Sequence, residues 1–156
     1  MSKMKLDIGC GTKKFEGFTG LDKMRIPGVD IVHDLEVFPY PLDDESCEFI
    51  VGSHIIEHIK PWFTIEFFNE LWRIMDWGGV LRLMYPEGGS FSFWQDPTHC
   101  NGFNATTFQY FDPEYPIYYV IYKPRPWKIM PGYPVQRAAD IYEVRMTKEK
   151  KNATTT

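Results

Sequence analysis

The sequence predicts an α/β fold: one open sheet, mostly parallel, with an antiparallel hairpin at its C-terminal end. Three observations carry this. Short apolar runs recur through the first half of the chain, each ending near a glycine or an acidic residue. One amphipathic helical segment separates the fourth run from the fifth. The length, 156 residues with 44% hydrophobic residues, suits a single core and leaves no room for a second enzyme domain.

Lys5 to Ile8 is the first predicted strand, running into Gly9-Cys10-Gly11. Gly17 to Asp22 is a second strand that ends in an acid, and Val29 to His33 a third. Cys47 to Gly52 is the fourth, after a turn-rich stretch holding Pro39, Pro41, Asp43 and Asp44. His54 to Ile59 reads as a short helix and Trp62 to Trp77 as the main one. Phe67, Leu71, Ile74 and Met75 recur there at helical spacing, and Gly78 stands where a helix stop belongs. Val80 to Tyr85 is the fifth strand. Ile117 to Lys123 and Asp140 to Met146 are two late strand candidates that would form the hairpin. The folded unit is expected over residues 1–147, with 148–156 a frayed tail.

Composition excludes several classes. Mean hydropathy is -0.33, and no apolar run approaches the ~20 residues of a membrane span. The net charge of -4 is uneven: residues 26–116 carry fifteen acidic and three basic groups, which argues against wrapping a nucleic acid. Cys10, Cys47 and Cys100 have no framework spacing, and no apolar leader precedes the first strand, so a reduced, cytoplasmic protein is expected.

In an open parallel sheet, ligands bind beyond the carboxyl ends of the strands, where strand order reverses. A ligand can approach the turn after the first strand only where side chains are missing, which Gly9 and Gly11 provide. Asp22, at the end of the second strand, stands where an acid would accept hydrogen bonds from ribose hydroxyls. Asp34 and Leu35 follow the third strand. Each signal alone is weak, and the weight lies in their order within 53 residues.

Those residues, in that order, resemble a family. Leu6-Asp7-Ile8-Gly9-Cys10-Gly11-Thr12 is similar to motif I of class I S-adenosylmethionine-dependent methyltransferases, whose fold is Rossmann-like. Asp43 to Ile50 and Ser53 to Ile59 resemble the segments that lead into and follow the fourth strand in that family, and Glu70 to Gly79 resembles its helix and glycine pair before the fifth strand. Asp96-Pro97-Thr98-His99 is similar to a motif of small bacterial and phage methyltransferase-like proteins. The resemblance covers about residues 5–111 and implies S-adenosylmethionine as cofactor. Gly9, Cys10 and Gly11 would hold its methionine end, and Asp22 its ribose, with Lys23 or Met24 beside the base. Asp34 and Leu35 would flank adenine, and Ser53 and His54 would lie near the sulfonium. One departure stands out. Only nine residues separate Ile8 from Phe18, whereas a parallel crossover usually takes a dozen or more. The first crossover helix is therefore expected to be shortened or absent, leaving a thin sheet face that a second copy of the chain could cover.

Methyl transfer needs a positioned nucleophile and, for an oxygen or nitrogen acceptor, often a base. Beyond the fifth strand, His99 and Asp96 are the candidate catalytic pair; the alternative is a buried turn in which they only cap backbone. His58 is a candidate for the acceptor side. Residues 91–133 hold thirteen of the 26 aromatics. Of Phe91, Phe93, Trp94, Phe103, Phe108, Tyr110 and Phe111, most read as core, with Trp94 the best candidate for stacking on an acceptor. A small molecule or sugar is the expected acceptor.

Two rival patterns are weaker. His54-Ile55-Ile56-Glu57-His58 matches a His-x-x-Glu-His zinc pattern, but a third ligand and a longer helix are wanting, so no metal is expected. The dinucleotide fingerprint lacks its last glycine, where Lys14 stands. A non-catalytic binding or assembly module on the same fold is the alternative from another class.

Overall fold

A computed structural model describes residues 2–150. It contains one sheet with the strand order β3-β2-β1-β4-β5-β8-β6, and β7 pairs with β8 off that path. The strands are β1 (Met4–Ile8), β2 (Thr19–Asp22), β3 (Ile31–Val32), β4 (Cys47–Ser53), β5 (Met75–Pro86), β6 (Lys128–Ile129), β7 (Val135–Gln136) and β8 (Ile141–Thr147). The first five pair in parallel, and β8 runs antiparallel to β5, β6 and β7. The chain leaves β1 toward β2 on one side and returns through β4 on the other. The order therefore reverses between β1 and β4, where a crevice opens at the strand ends.

The core follows from the apolar runs. Leu6, Ile8, Leu21, Ile50, Leu81 and Leu83 are fully buried on the strands. Helix α1 (Thr64–Ile74) lays Phe67, Phe68, Leu71 and Ile74 against them. The aromatic segment closes the same core: Phe68 lies 4.2 Å from Phe111, ring centre to ring centre, and Trp127 donates its indole N–H to the Phe68 carbonyl. Of the seven aromatics from Phe91 to Phe111, Phe93, Phe103, Phe108 and Phe111 are buried, as the sequence predicts for most of them, whereas Phe91 and Trp94 are exposed.

No helix bridges β1 and β2. Turns span the gap, and in place of a helix the Phe18 ring meets Phe49 of β4 edge-on, ring centres 5.8 Å apart, with Phe15 tilted against Phe18 at 5.9 Å. The Phe15 N–H donates to the buried Asp7 carboxylate, which pins this short crossover to β1. Burial pushes the Asp7 carboxyl above its ordinary range, against that hydrogen bond and the nearby Lys14.

Three elements differ from expectation. Ile117 to Lys123 is not a strand but lies in helix α3 (Pro116–Tyr122), started by a proline in its first turn and stopped by Lys123 in a left-handed conformation. Its Ile and Val are on a face left exposed, so β propensity misleads there; the partners of β8 are β5, β6 and β7 instead. The main helix ends at Ile74, three residues early. Met75 already pairs with Cys47, and residues 76–79 bulge out before Val80 pairs with Phe49. Gly78, at φ +80°, serves that bulge rather than a helix stop. The segment from His54 to Ile59 is only one 3₁₀ turn, Ile56–His58. At the C-terminal end, Lys148 is buried beyond β8, so the packed body reaches into the predicted tail; residues 151–156 lie outside the described part. Among the described residues no helix is long and apolar enough to cross a membrane.

Candidate active site

The strand ends build two adjoining cavities. The larger, about 810 Å³, is lined by Gly9 after β1, Asp22 and Lys23 at the end of β2, Asp34 and Leu35 after β3, and His54 after β4. Its size lies in the ~300–1,000 Å³ range of small-molecule sites. The smaller, about 260 Å³, is lined by Asp96 and His99 with Ser92 and Gln95. His54 and His58 line both.

At the first turn, Gly9 has φ +65°, and a Cβ there would stand 2.6 Å from the Ile55 side chain. Glycine is required twice over, by conformation and by space. The Gly9 and Cys10 amides both donate to the Leu21 carbonyl. The Gly11 amide donates to Asp22 Oδ2 and the Met24 amide to Oδ1, both at 2.9 Å. Asp22 therefore holds the glycine turn while its remaining lone pairs face the cavity. Asp34 accepts from the Glu36 amide, and Leu35 is buried in the wall.

Four of the expected cofactor residues are not in the cavity lining. The Cys10 side chain points back toward Gly20, where it is buried, and burial pushes its thiol up. Gly11 and Met24 reach the site through their amides on Asp22. Ser53 ends β4 opposite Met84 and delivers His54, whose left-handed backbone (φ +54°) turns the chain at the strand end. Trp94 is exposed, as expected, but lines neither cavity, because it lies on the outer side of the four-residue helix Phe91–Trp94.

Around the smaller cavity, Asp96 organises the Asp-Pro-Thr-His turn. Its Oδ1 accepts from both the amide and the hydroxyl of Thr98, at 2.8 and 2.7 Å. Thr98, through these bonds, holds the Asp96 carboxyl below its ordinary value. Asp96 Oδ2 lies 3.6 Å from His99 Nε2, and His99 Nδ1 meets the Phe93 carbonyl at 2.6 Å. The structure thus brings Asp96 and His99 together, with the His58 ring 4.7 Å from that of His99. Both expectations for that turn, local capping and a polar pair facing a cavity, describe the same residues.

Glu57 is the residue that the sequence does not single out as functional. It is fully buried, and neither of its carboxylate oxygens has a hydrogen-bond partner. Its Oε1 is 3.5 Å from His54 Nδ1 and 3.9 Å from His99 Nε2. The Glu57 carboxylate beside it raises the His54 imidazole above its ordinary value, against burial. Only the His-x-x-Glu-His pattern touched Glu57 in the sequence. Its two histidines do not share a helix face, since His54 precedes the single 3₁₀ turn.

Comparison with known proteins places this geometry. No family model matches the chain. A probable S-adenosylmethionine-dependent methyltransferase of Mycolicibacterium smegmatis is 33% identical over 87 residues, covering 53% of this chain and 33% of the relative. The chain thus spans about a third of the length of the curated relative it matches. Among solved structures, a SAM-dependent methyltransferase from Archaeoglobus fulgidus aligns with a TM-score of 0.65 at 16% identity, covering 94% of this chain and 86% of that one. One from Thermotoga maritima, described as a possible histamine N-methyltransferase, gives 0.64 at 17% identity, covering 96% and 84%. A Haemonchus contortus phosphoethanolamine N-methyltransferase, solved with S-adenosylhomocysteine, gives 0.53 at 19% identity over 70% of this chain and 32% of that one.

Proposed function

We propose that this chain, which has the class I methyltransferase fold, is an S-adenosylmethionine-dependent methyltransferase acting on an oxygen or nitrogen of a small-molecule or sugar acceptor. One observation carries the reading. The cavity formed at four consecutive strand ends adjoins a second, smaller one, and His54 and His58 stand at the junction. That arrangement suits a large donor on one side and a small acceptor on the other.

The residues fit the donor. The space that a Cβ at Gly9 would fill is the approach to the β1 turn. Asp22 offers its free lone pairs to a ribose, and Leu35 and Ile59 offer an apolar wall to a purine. When bound, the donor supplies a methyl carbon on a sulfonium, which the acceptor heteroatom takes as the carbon–sulfur bond breaks and its electron pair returns to sulfur. The chain's task is then to orient the acceptor, exclude water and receive the acceptor's proton. Positioning is worth roughly 7–11 kcal/mol and a base about 10²–10⁴-fold. His99 Nε2 and the Asp96 carboxylate both face the smaller cavity and are the proton acceptors of this reading.

Calorimetric titration with S-adenosylhomocysteine tests the donor site. Saturable binding that Asp22→Ala weakens supports it; no heat at millimolar ligand overturns it. The missing first crossover helix favours a second reading, a binding module on the same fold. Binding of the donor with no methyl transfer to any of a panel of hydroxyl and amine acceptors would decide for the module.

A further inference from the structure

We propose that Glu57, His58 and His99 bind one divalent transition-metal ion of the zinc, cobalt or iron(II) class, at the inner end of the smaller cavity. One acceptor atom from each of the three lies within 4.8 Å of the others, the only such cluster among the described residues. Tetrahedral ligation at about 2.0–2.1 Å needs ligand atoms about 3.4 Å apart, so closing onto an ion takes small side-chain shifts.

The first argument is the orphaned carboxylate. Glu57 is fully buried, and both its oxygens lack a donor. A buried carboxylate without a hydrogen-bond donor is among the costliest groups a fold can hold, and charge pairing or a metal is the usual remedy; here only the His54 and His99 imidazoles, at 3.5 and 3.9 Å, stand near it. Nor is Glu57 loosely placed: its backbone carbonyl accepts from the Cys100 and Asn101 amides.

The second argument is the tautomer of each imidazole. His99 Nδ1 lies 2.6 Å from the Phe93 carbonyl, which can only accept, so Nδ1 carries a proton. In the neutral ring Nε2 is then a lone pair, yet it faces Asp96 Oδ2 at 3.6 Å and Glu57 Oε1 at 3.9 Å. A lone pair aimed at two carboxylates is unfavourable unless a proton or a metal cation lies between them. At His58 the Thr98 hydroxyl gives its proton to Asp96, so toward His58 Nδ1, at 3.1 Å, it can only accept. His58 Nδ1 is thereby the protonated nitrogen, and Nε2 is left free. Both histidines thus keep Nε2 as the lone-pair nitrogen and anchor Nδ1–H on an oxygen, one a carbonyl and the other a hydroxyl backed by a carboxylate. That is the outer-shell arrangement that fixes metal-binding imidazoles.

Two imidazoles and a carboxylate suit zinc, cobalt or iron(II) over magnesium or calcium, which prefer all-oxygen ligands. Three protein ligands leave at least one position open. Here that position faces the cavity assigned above to the acceptor, and this last point alone rests on the methyltransferase reading. With the ion bound, His99 Nε2 is spent as a ligand, and Asp96 remains as the proton acceptor.

The test uses the chelator-treated full chain without any methyl donor. Titration with Co²⁺, read by visible absorption, and with Zn²⁺, read by calorimetry, should each give one ion per chain. His99→Ala and His58→Ala should each weaken binding at least 100-fold. Thr98→Val, an exposed change that removes the His58 anchor together with the hydroxyl's bond to Asp96, should weaken it about tenfold. Circular dichroism of each variant separates lost binding from lost fold. No binding of either ion at millimolar concentration would overturn the site, with a proton on the imidazoles then neutralising Glu57. Binding unchanged in folded His99→Ala or His58→Ala would overturn it as well. S-adenosylhomocysteine affinity, measured separately, fails or holds independently of either result.

Discussion

The Gly11 amide donates to Asp22 Oδ2 at 2.9 Å, and this bond joins the turn after β1 to the end of β2. The same carboxylate accepts the Met24 amide. Asp22 therefore shapes the floor of the larger cavity as well as facing into it. Asp22→Ala removes two charge-assisted acceptors and any bond to a ribose. S-adenosylhomocysteine binding should weaken about 10–100-fold, given ~1.5–3 kcal/mol per hydrogen bond to a charged group. Asp22→Asn keeps one carbonyl and should lose less. Calorimetry of both variants checks the order.

Gly9 and Ile55 form a second dependency across the sheet. A Cβ at Gly9 would meet Ile55 Cδ1 and Cγ1 at 2.6 Å, and φ is +65°. Gly9→Ala should cost about 2–4 kcal/mol, combining left-handed strain with overpacking. Adding Ile55→Ala relieves the clash but not the strain. In urea unfolding, the double variant should therefore be less destabilised than the sum of the two single ones.

The parallel strands and the glycine turn were legible because their residues carry local signals: apolar runs, Gly9, and an acid at the end of β2 (Asp22) and after β3 (Asp34). The short β1–β2 crossover was legible from chain length alone. Helix α3 was not, because Ile117, Val120 and Ile121 look like a strand while their exposure is set by tertiary packing. The early end of α1 was hidden for a similar reason: Met75 continues the helical spacing but is claimed by Cys47 of β4. Glu57 could not be weighed from sequence. Its significance lies in the donors that it lacks, which only the assembled structure reveals.

Lys148 illustrates a contact invisible in a stretch of charges. Its ammonium donates to the Trp72 and Met75 carbonyls at 3.2 and 2.9 Å and lies 3.8 Å from the Trp72 ring centre and 4.4 Å from that of Trp77. Burial lowers its pKa, against the nearby Glu45. Lys148→Ala should destabilise by about 2–3 kcal/mol through lost cation–π and carbonyl contacts. Lys148→Met, which keeps the stem, should lose only part of that. Equal losses in thermal unfolding would assign the effect to the ammonium alone and none of it to packing of the stem.

Glu143 on β8 gives the pH dependence. It is buried among three guanidinium groups: Arg145 Nε at 2.7 Å, with Arg82 Nη2 and Arg137 Nε both at 3.1 Å. Arg82 and Arg145 face each other directly across β5 and β8, so the carboxylate also screens two like charges. Burial pushes the Glu143 carboxyl up, but hydrogen bonds from Arg82, Arg137 and Arg145 outweigh it and hold the pKa at about 2, below the ordinary 4.5. A depressed carboxyl contributes stability that is complete above its unfolded pKa and is lost as pH falls through the folded one. The window is therefore roughly pH 4.5 to 2. Glu143→Gln leaves the three arginines without their counter-ion and should cost about 2–3 kcal/mol at neutral pH, the partial exposure of the arginines moderating the loss. Measured by urea unfolding, the gap between the parent chain and the variant should hold steady from pH 7 to 5. It should then narrow by about 1 kcal/mol by pH 3.5, as this carboxyl takes up a proton in the unfolded parent chain while the folded one stays ionised. A gap independent of pH over that range would mean that the arginines are held by contacts other than this charge.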